Sequence, residues 1–276
     1  MLFDGGLNMD KSEFLEIFDT QYRRDLLEPN VQREAIPADD PRIVRHISPQ
    51  FKNGFISYFK LNESSVEQEI DEQVAFFFNL GYEFEWKVYD HDSPADIRDR
   101  LTRRGFVIEE LAALMILDTD VTPAFLDPED VSVRRVEDEA GIQAIMRMEK
   151  AVWNEDHSEL AIRLWQDLQT DPMSLSVFAS YEGEQLVSAA WIYYHPPTKF
   201  ASLWGGSTLA EHRGKGHYTA LLNARMREAR SRGYRFLMVD ASPMSRPILE
   251  RRGFDFYGFS TACVWKPEKK EGSSNA

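Results

Sequence analysis

Ser202-Leu-Trp-Gly-Gly-Ser-Thr-Leu-Ala-Glu-His-Arg-Gly-Lys-Gly-His-Tyr218 is the stretch that decides how this chain is read. An apolar strand runs into a short loop of glycine and basic residues, and a helical run follows as far as Gly233. The first N–H groups of a helix have no partner within it, and the positive end of its dipole lies behind them. A loop of this composition is therefore suited to cradle a diphosphate. Gly214 and Gly216 let the backbone approach an anion, and Arg213 and Lys215 add charge. Two common phosphate loops do not fit. The P-loop fails because no hydroxyl residue follows Lys215, and the dinucleotide fingerprint fails because Thr219 stands at its third glycine.

The pattern that fits is Arg213-x-x-Gly216-x-Tyr218. It resembles the acyl-coenzyme A loop Arg/Gln-x-x-Gly-x-Gly/Ala of the GNAT acetyltransferases, with Tyr218 where a second small residue is usual. The following segment strengthens the resemblance. Tyr234–Asp240 reads as a short buried strand, and Ser242–Arg252 as a short helix with an N-cap serine and Pro243 in its first turn. Leu249-Glu-Arg-Arg-Gly-Phe254 closes it, in the order of the second GNAT signature. Together the motifs span Val131 to Trp265.

The resemblance implies acetyl-CoA as co-substrate. Gly206, Ser207 and Thr208 would bond its pantetheine arm through the backbone, and Ser245 would be the small residue that lets that arm pass. The diphosphate would rest on Arg213, Gly214, Lys215, Gly216, His217, Tyr218 and Thr219. Catalysis is less defined. Leu249 stands where many members carry a tyrosine acid, Ser242 replaces a common asparagine, and Phe200–Leu209 holds no carboxylate. Glu149, Glu155, Asp156 and His157 are candidate bases and Asp240 could hold a water, so no catalytic residue is singled out. The implied activity is transfer of an acetyl group to a primary amine of a small molecule or peptide. A non-catalytic acyl-CoA-binding or regulatory module is the alternative. A third reading is an aminoacyl-tRNA-dependent transferase, since some of those are built from tandem GNAT-like halves.

Composition narrows the choice. A net charge of −14 argues against a nucleic-acid or anionic-membrane partner, tRNA included. Against that background Glu211–Arg235 holds seven Lys/Arg and two Glu, a patch suited to a compact polyanion. Cys263 is the only cysteine, which excludes a disulfide framework or a cysteine-rich metal site, and no metal is expected. The N-terminus lacks signal-peptide features and no apolar run approaches the ~18 residues of a membrane span, so a cytoplasmic location is expected.

The chain also contains a weak internal repeat. Gly81-Tyr-Glu-Phe-Glu-Trp-Lys-Val-Tyr89 parallels Gly233–Val239, and Arg100-Leu-Thr-Arg-Arg-Gly-Phe106 parallels Ile248–Phe254. Between Leu61 and Val66 the first copy has Asn62-Glu-Ser-Ser65, without glycine or base. The expected fold class is α/β, with two GNAT-like halves, each a mixed twisted sheet flanked by helices. The expected boundaries are a degenerate half without the loop at 1–118, a linker at 119–130, the acetyltransferase domain at 131–266 and a disordered tail at 267–276. The surplus of aromatics in the first half (Phe76-Phe-Phe78, Phe84, Trp86) suggests a face that packs against the second.

Overall fold

The computed structural model describes residues 9–121 and 132–267. Most of the expected linker (122–130) and tail (268–276) therefore lies outside the described residues. In chain order the elements are α1 (Lys11–Ile17) with a π-helical continuation (Phe18–Arg24), β1 (Gln32–Ile36), β2 (Ile43–Ser48), β3 (Asn53–Phe59), α2 (Val66–Leu80), β4 (Glu83–Tyr89), α3 (Ile97–Arg103), β5 (Val107–Ile108) and β6 (Ala112–Asp118). Then follow β7 (Ser132–Val136), α4 (Glu139–Trp153), α5 (Ser158–Thr170), β8 (Leu175–Glu182), β9 (Gln185–Tyr194), β10 (Phe200–Thr208), a 3₁₀ turn (Ala210–His212), α6 (His217–Ser231), β11 (Phe236–Ala241), α7 (Arg246–Glu250) and β12 (Asp255–Trp265). The class is mixed α/β, as expected. No helix among the described residues is long and apolar enough to cross a membrane.

The chain divides into two compact units that interleave in sequence. One gathers residues 9–30 and 113–257, the other 31–112 and 258–267. Consecutive halves at 1–118 and 131–266 do not coincide with these units, and the reason lies in strand pairing. β6 follows the first copy of the repeat but pairs antiparallel with β11, Phe236 opposite Asp118 through Ala241 opposite Ala113. β12 follows the second copy, yet its Ser260–Trp265 pair antiparallel with Tyr89–Phe84 of β4. Residues 9–30 also join the later unit. The rings of Phe14 and Phe18 are wholly buried and pack edge-on against Phe200, with centroids 6.0 and 5.9 Å away.

In the unit of β6–β11 the strand order is β6-β11-β10-β9-β8-β7. Helices flank both faces. Tyr193 Oη donates to Asp167 of α5 at 2.7 Å, whereas Tyr194 lies under Arg232 at the end of α6, 4.3 Å from ring centroid to guanidinium. Consecutive strand residues point to opposite faces, so α5 and α6 cover opposite sides. The apolar stripe Ile142, Ile145, Met146 of α4 meets Val177, Ala189 and Trp191 in the core on the α5 side.

The other unit orders its strands β1-β2-β3-β4-β12, with β3 parallel to β4 across α2. Three of the five surplus aromatics, Phe77, Phe84 and Trp86, lie in its own core. Phe77 stacks on Phe84 at 4.2 Å and Trp86 is wholly buried, while Phe78 stays 53% exposed. The expectation that this surplus serves a face for the other half is therefore not needed to explain it. The turn before α2 is bonded to itself. Asn62 Oδ1 accepts from the N–H groups of Ser64 (3.0 Å) and Ser65 (3.1 Å), and Glu63 and Glu67 surround it, paired with Arg100. This turn spends its serine N–H groups on Asn62 and has neither the glycine nor the exposed basic residues of the Arg213–Gly216 loop.

Candidate functional site

The site grows from the way β10 leaves its neighbour. β10 pairs in parallel with β11 only across Phe200–Ser202 and Phe236–Met238. Beyond Ser202 the two strands separate into a wedge, while β10 keeps its antiparallel partner β9 on the other edge. That pairing is broken once, between Gly205 and Ser207, so Gly206 is the extra residue of a β-bulge. Gly206 has φ 95°, and a Cβ there would stand 3.0 Å from the Tyr218 ring. Only glycine fits both the backbone and the close approach. The Trp204 carbonyl accepts from the Arg225 guanidinium at 3.2 Å. Arg225 is buried on α6, and desolvation pushes its pKa down to about 10.

Beyond the bulge the 3₁₀ turn delivers the chain to Arg213–Gly216. Arg213, Gly214 and Lys215 are exposed, and Gly216 caps α6 with φ 92°. Ala220 makes the first helical bond, to Gly216 O at 2.9 Å, so the N–H groups of His217, Tyr218 and Thr219 precede it. An exposed basic loop thus leads onto the start of a 15-residue helix at the mouth of the wedge.

Residues 142–254 match the Acetyltransferase (GNAT) family. That stretch is a GNAT acetyltransferase domain. The fold of the chain is similar to that of a GCN5-related N-acetyltransferase from Kribbella flavida, at 12% identity and a TM-score of 0.65, over 85% of this chain and 89% of that one. A functionally unknown conserved protein from Staphylococcus epidermidis gives 14% identity and a TM-score of 0.64, over 91% and 97%. A tandem GNAT protein from the clavulanic acid biosynthesis pathway gives 12% and 0.55, over 87% and 85%. At these identities the likeness is one of fold. No curated protein matches the sequence.

Within the GNAT domain the residues singled out from sequence fall into three groups. Gly206, Arg213, Gly214, Lys215 and Gly216 line the wedge mouth and loop by their backbone or exposed side chains. Ser207, Thr208, His217 and Thr219 turn their side chains inward. Ser207 Oγ donates to Glu149 at 2.7 Å, Thr208 Oγ1 lies 2.8 Å from Ser188 Oγ, His217 Nδ1 lies 2.8 Å from Ser180 Oγ, and Thr219 Oγ1 accepts from Arg252 at 2.9 Å. What these four can offer the diphosphate or the pantetheine arm is backbone. The Tyr218 ring forms the floor under Gly206. Ser245 lies apart on α7 and is its N-cap. The sequence placed that cap at Ser242. Instead, Ser242 Oγ accepts from the Ser245 N–H at 3.2 Å in a turn that delays the helix to Arg246. Leu249 is buried in the α7 core position.

The four candidate bases separate clearly. Glu155 and Asp156 are exposed, and Asp156 accepts from the Ser158 side chain and its N–H, bonds that hold its carboxyl below the usual range. Glu149 is 4% exposed. Its Oε2 accepts from Ser207 Oγ at the bulge, and Trp153 Nε1 donates to the same hydroxyl at 2.9 Å. Its Oε1 is buried without a hydrogen-bond partner, as is Nε2 of His157. Desolvation raises the Glu149 pKa, partly opposed by Ser207 and His157. A carboxyl whose pKa is raised by burial, beside the strand that opens the wedge, is the strongest of the four as a proton acceptor. The sequence held a signal for this choice. Glu149 continues the buried stripe Ile142, Ile145, Met146 by one turn, the place of an apolar residue. Asp240 is half-buried on β11, beyond the last residue paired with β10.

Proposed function

We propose that this chain is an acetyl-CoA-dependent N-acetyltransferase acting on a primary amine. The observation that carries the reading is the Gly206 bulge at the wedge, with the Glu149–Ser207 contact on one side and the exposed Arg213–Gly216 loop at its end. The loop and the first N–H groups of α6 hold the diphosphate, and the unpaired backbone of Gly206 holds the arm. Backbone N–H groups of the bulge stabilise the negative charge that develops on the thioester oxygen. Glu149 takes the proton from the attacking amine as the new amide bond forms and the carbon–sulfur bond breaks. The departing sulfur takes its proton from solvent, because Leu249 offers none.

That buried leucine is also the observation favouring the second reading, an acyl-CoA-binding module without turnover. A panel of small amines and peptide N-termini, assayed for free thiol released from acetyl-CoA, separates the two. At least one acceptor is expected to exceed the hydrolysis background. Tight binding of acetyl-CoA with no acceptor in a broad panel would assign the module instead.

A further inference from the structure

Behind the loop, away from the wedge, three side chains of metal-ligand type converge. His212 ends the 3₁₀ turn just before Arg213, His217 opens α6 just after Gly216, and Glu182 ends β8. One ligand atom from each lies within 4.8 Å of the other two. Glu182 Oε2 is 3.0 Å from His212 Nδ1, and Oε1 is 3.0 Å from His217 Nε2. The imidazoles are 8% and 3% exposed. His212 Nδ1, although close to the carboxylate, is not aligned for a hydrogen bond and has no hydrogen-bond partner. His217 Nε2 donates to the Glu182 carboxylate and would give up that proton to a metal, while Nδ1, bonded to Ser180 Oγ, supplies the outer contact that orients the ring.

We propose that Glu182, His212 and His217 bind a divalent transition metal of the zinc type through two imidazoles and one carboxylate, with a further position open to solvent. Ligand atoms around a tetrahedral zinc stand about 3.3 Å apart, so small side-chain shifts complete the site. Lys215 Nζ now lies 3.1 Å from the Glu182 carboxylate. Its side chain is 49% exposed, and the metal takes over as counter-charge while the lysine swings to solvent beside Arg213. Because His212 and His217 bracket Arg213–Gly216, the metal staples both ends of the loop to β8.

The test uses the full chain, stripped by chelator and titrated with Co²⁺ alone at neutral pH. One Co²⁺ per chain is expected, with the visible absorption of a four-coordinate nitrogen–oxygen site, displaced by Zn²⁺. Hydrogen exchange of residues 210–217 should slow on binding. Ser180→Ala should weaken Co²⁺ about 10–100-fold. The double variant His212→Gln with His217→Gln should lose the signal, and Glu182→Gln, which keeps both imidazoles in place, should weaken binding at least as much as Ser180→Ala. Failure of the stripped chain to take up Co²⁺, or a signal that survives in both the double histidine variant and Glu182→Gln, would overturn the site. The readout needs no acyl-CoA, so it stands or falls apart from the proposed function.

Discussion

Replacing Glu149 with glutamine is expected to lower turnover about 10²–10⁴-fold, the usual contribution of a positioned general base. Acetyl-CoA affinity should be unchanged, because Glu149 touches the Ser207 side chain rather than the loop. Stability should move the other way. Burial raises the Glu149 pKa in the folded protein, so its ionised form costs stability at every pH above that value. The cost is relieved as pH falls through the folded pKa, where the wild-type carboxyl takes up its proton. Glutamine never carries the charge, so the variant's thermal midpoint at neutral pH should equal or exceed that of the wild type. The acid limb of the wild-type rate profile should lie above the ordinary carboxylate range and vanish from the variant's residual rate. Wild-type turnover in Glu149→Gln, or an unaltered acid limb, would remove Glu149 from the mechanism.

Gly216→Asp should have the largest effect on donor binding. Gly216 holds φ 92° at the cap of α6, where an L side chain costs roughly 1–2 kcal/mol. Aspartate also puts a negative charge among the N–H groups proposed to hold the diphosphate. Acetyl-CoA affinity is expected to fall more than about 100-fold, equivalent to roughly 2.8 kcal/mol. Gly216→Ala carries the strain without the charge and should lose much less. Equal losses in the two variants would assign the effect to backbone strain alone and take the diphosphate away from this loop.

Much of the local structure was legible in sequence because its signals are local. Glycine and basic residues between an apolar strand and a helical run placed β10, the loop and α6. What was not legible depends on pairing at a distance. Nothing in β6 announces that it pairs with β11 rather than with its own repeat, nor in β12 that it closes on β4. The short α1 carries too few residues to show that Phe14 seals a core containing Phe200 and Phe236. The base could be narrowed to four residues but not chosen, because burial and the contact with Ser207, 58 positions away, decide it. His217 and Glu182 are 35 positions apart, and a composition with one cysteine pointed away from any metal.

The most direct measurement of the central claim is a calorimetric titration of the full chain with acetyl-CoA. One molecule per chain is expected. The loop before α6 is exposed and basic, whereas the turn Asn62–Ser65 before α2 has no glycine or basic residue and its serine N–H groups are taken by Asn62. A stoichiometry of zero, or of two, would contradict the account.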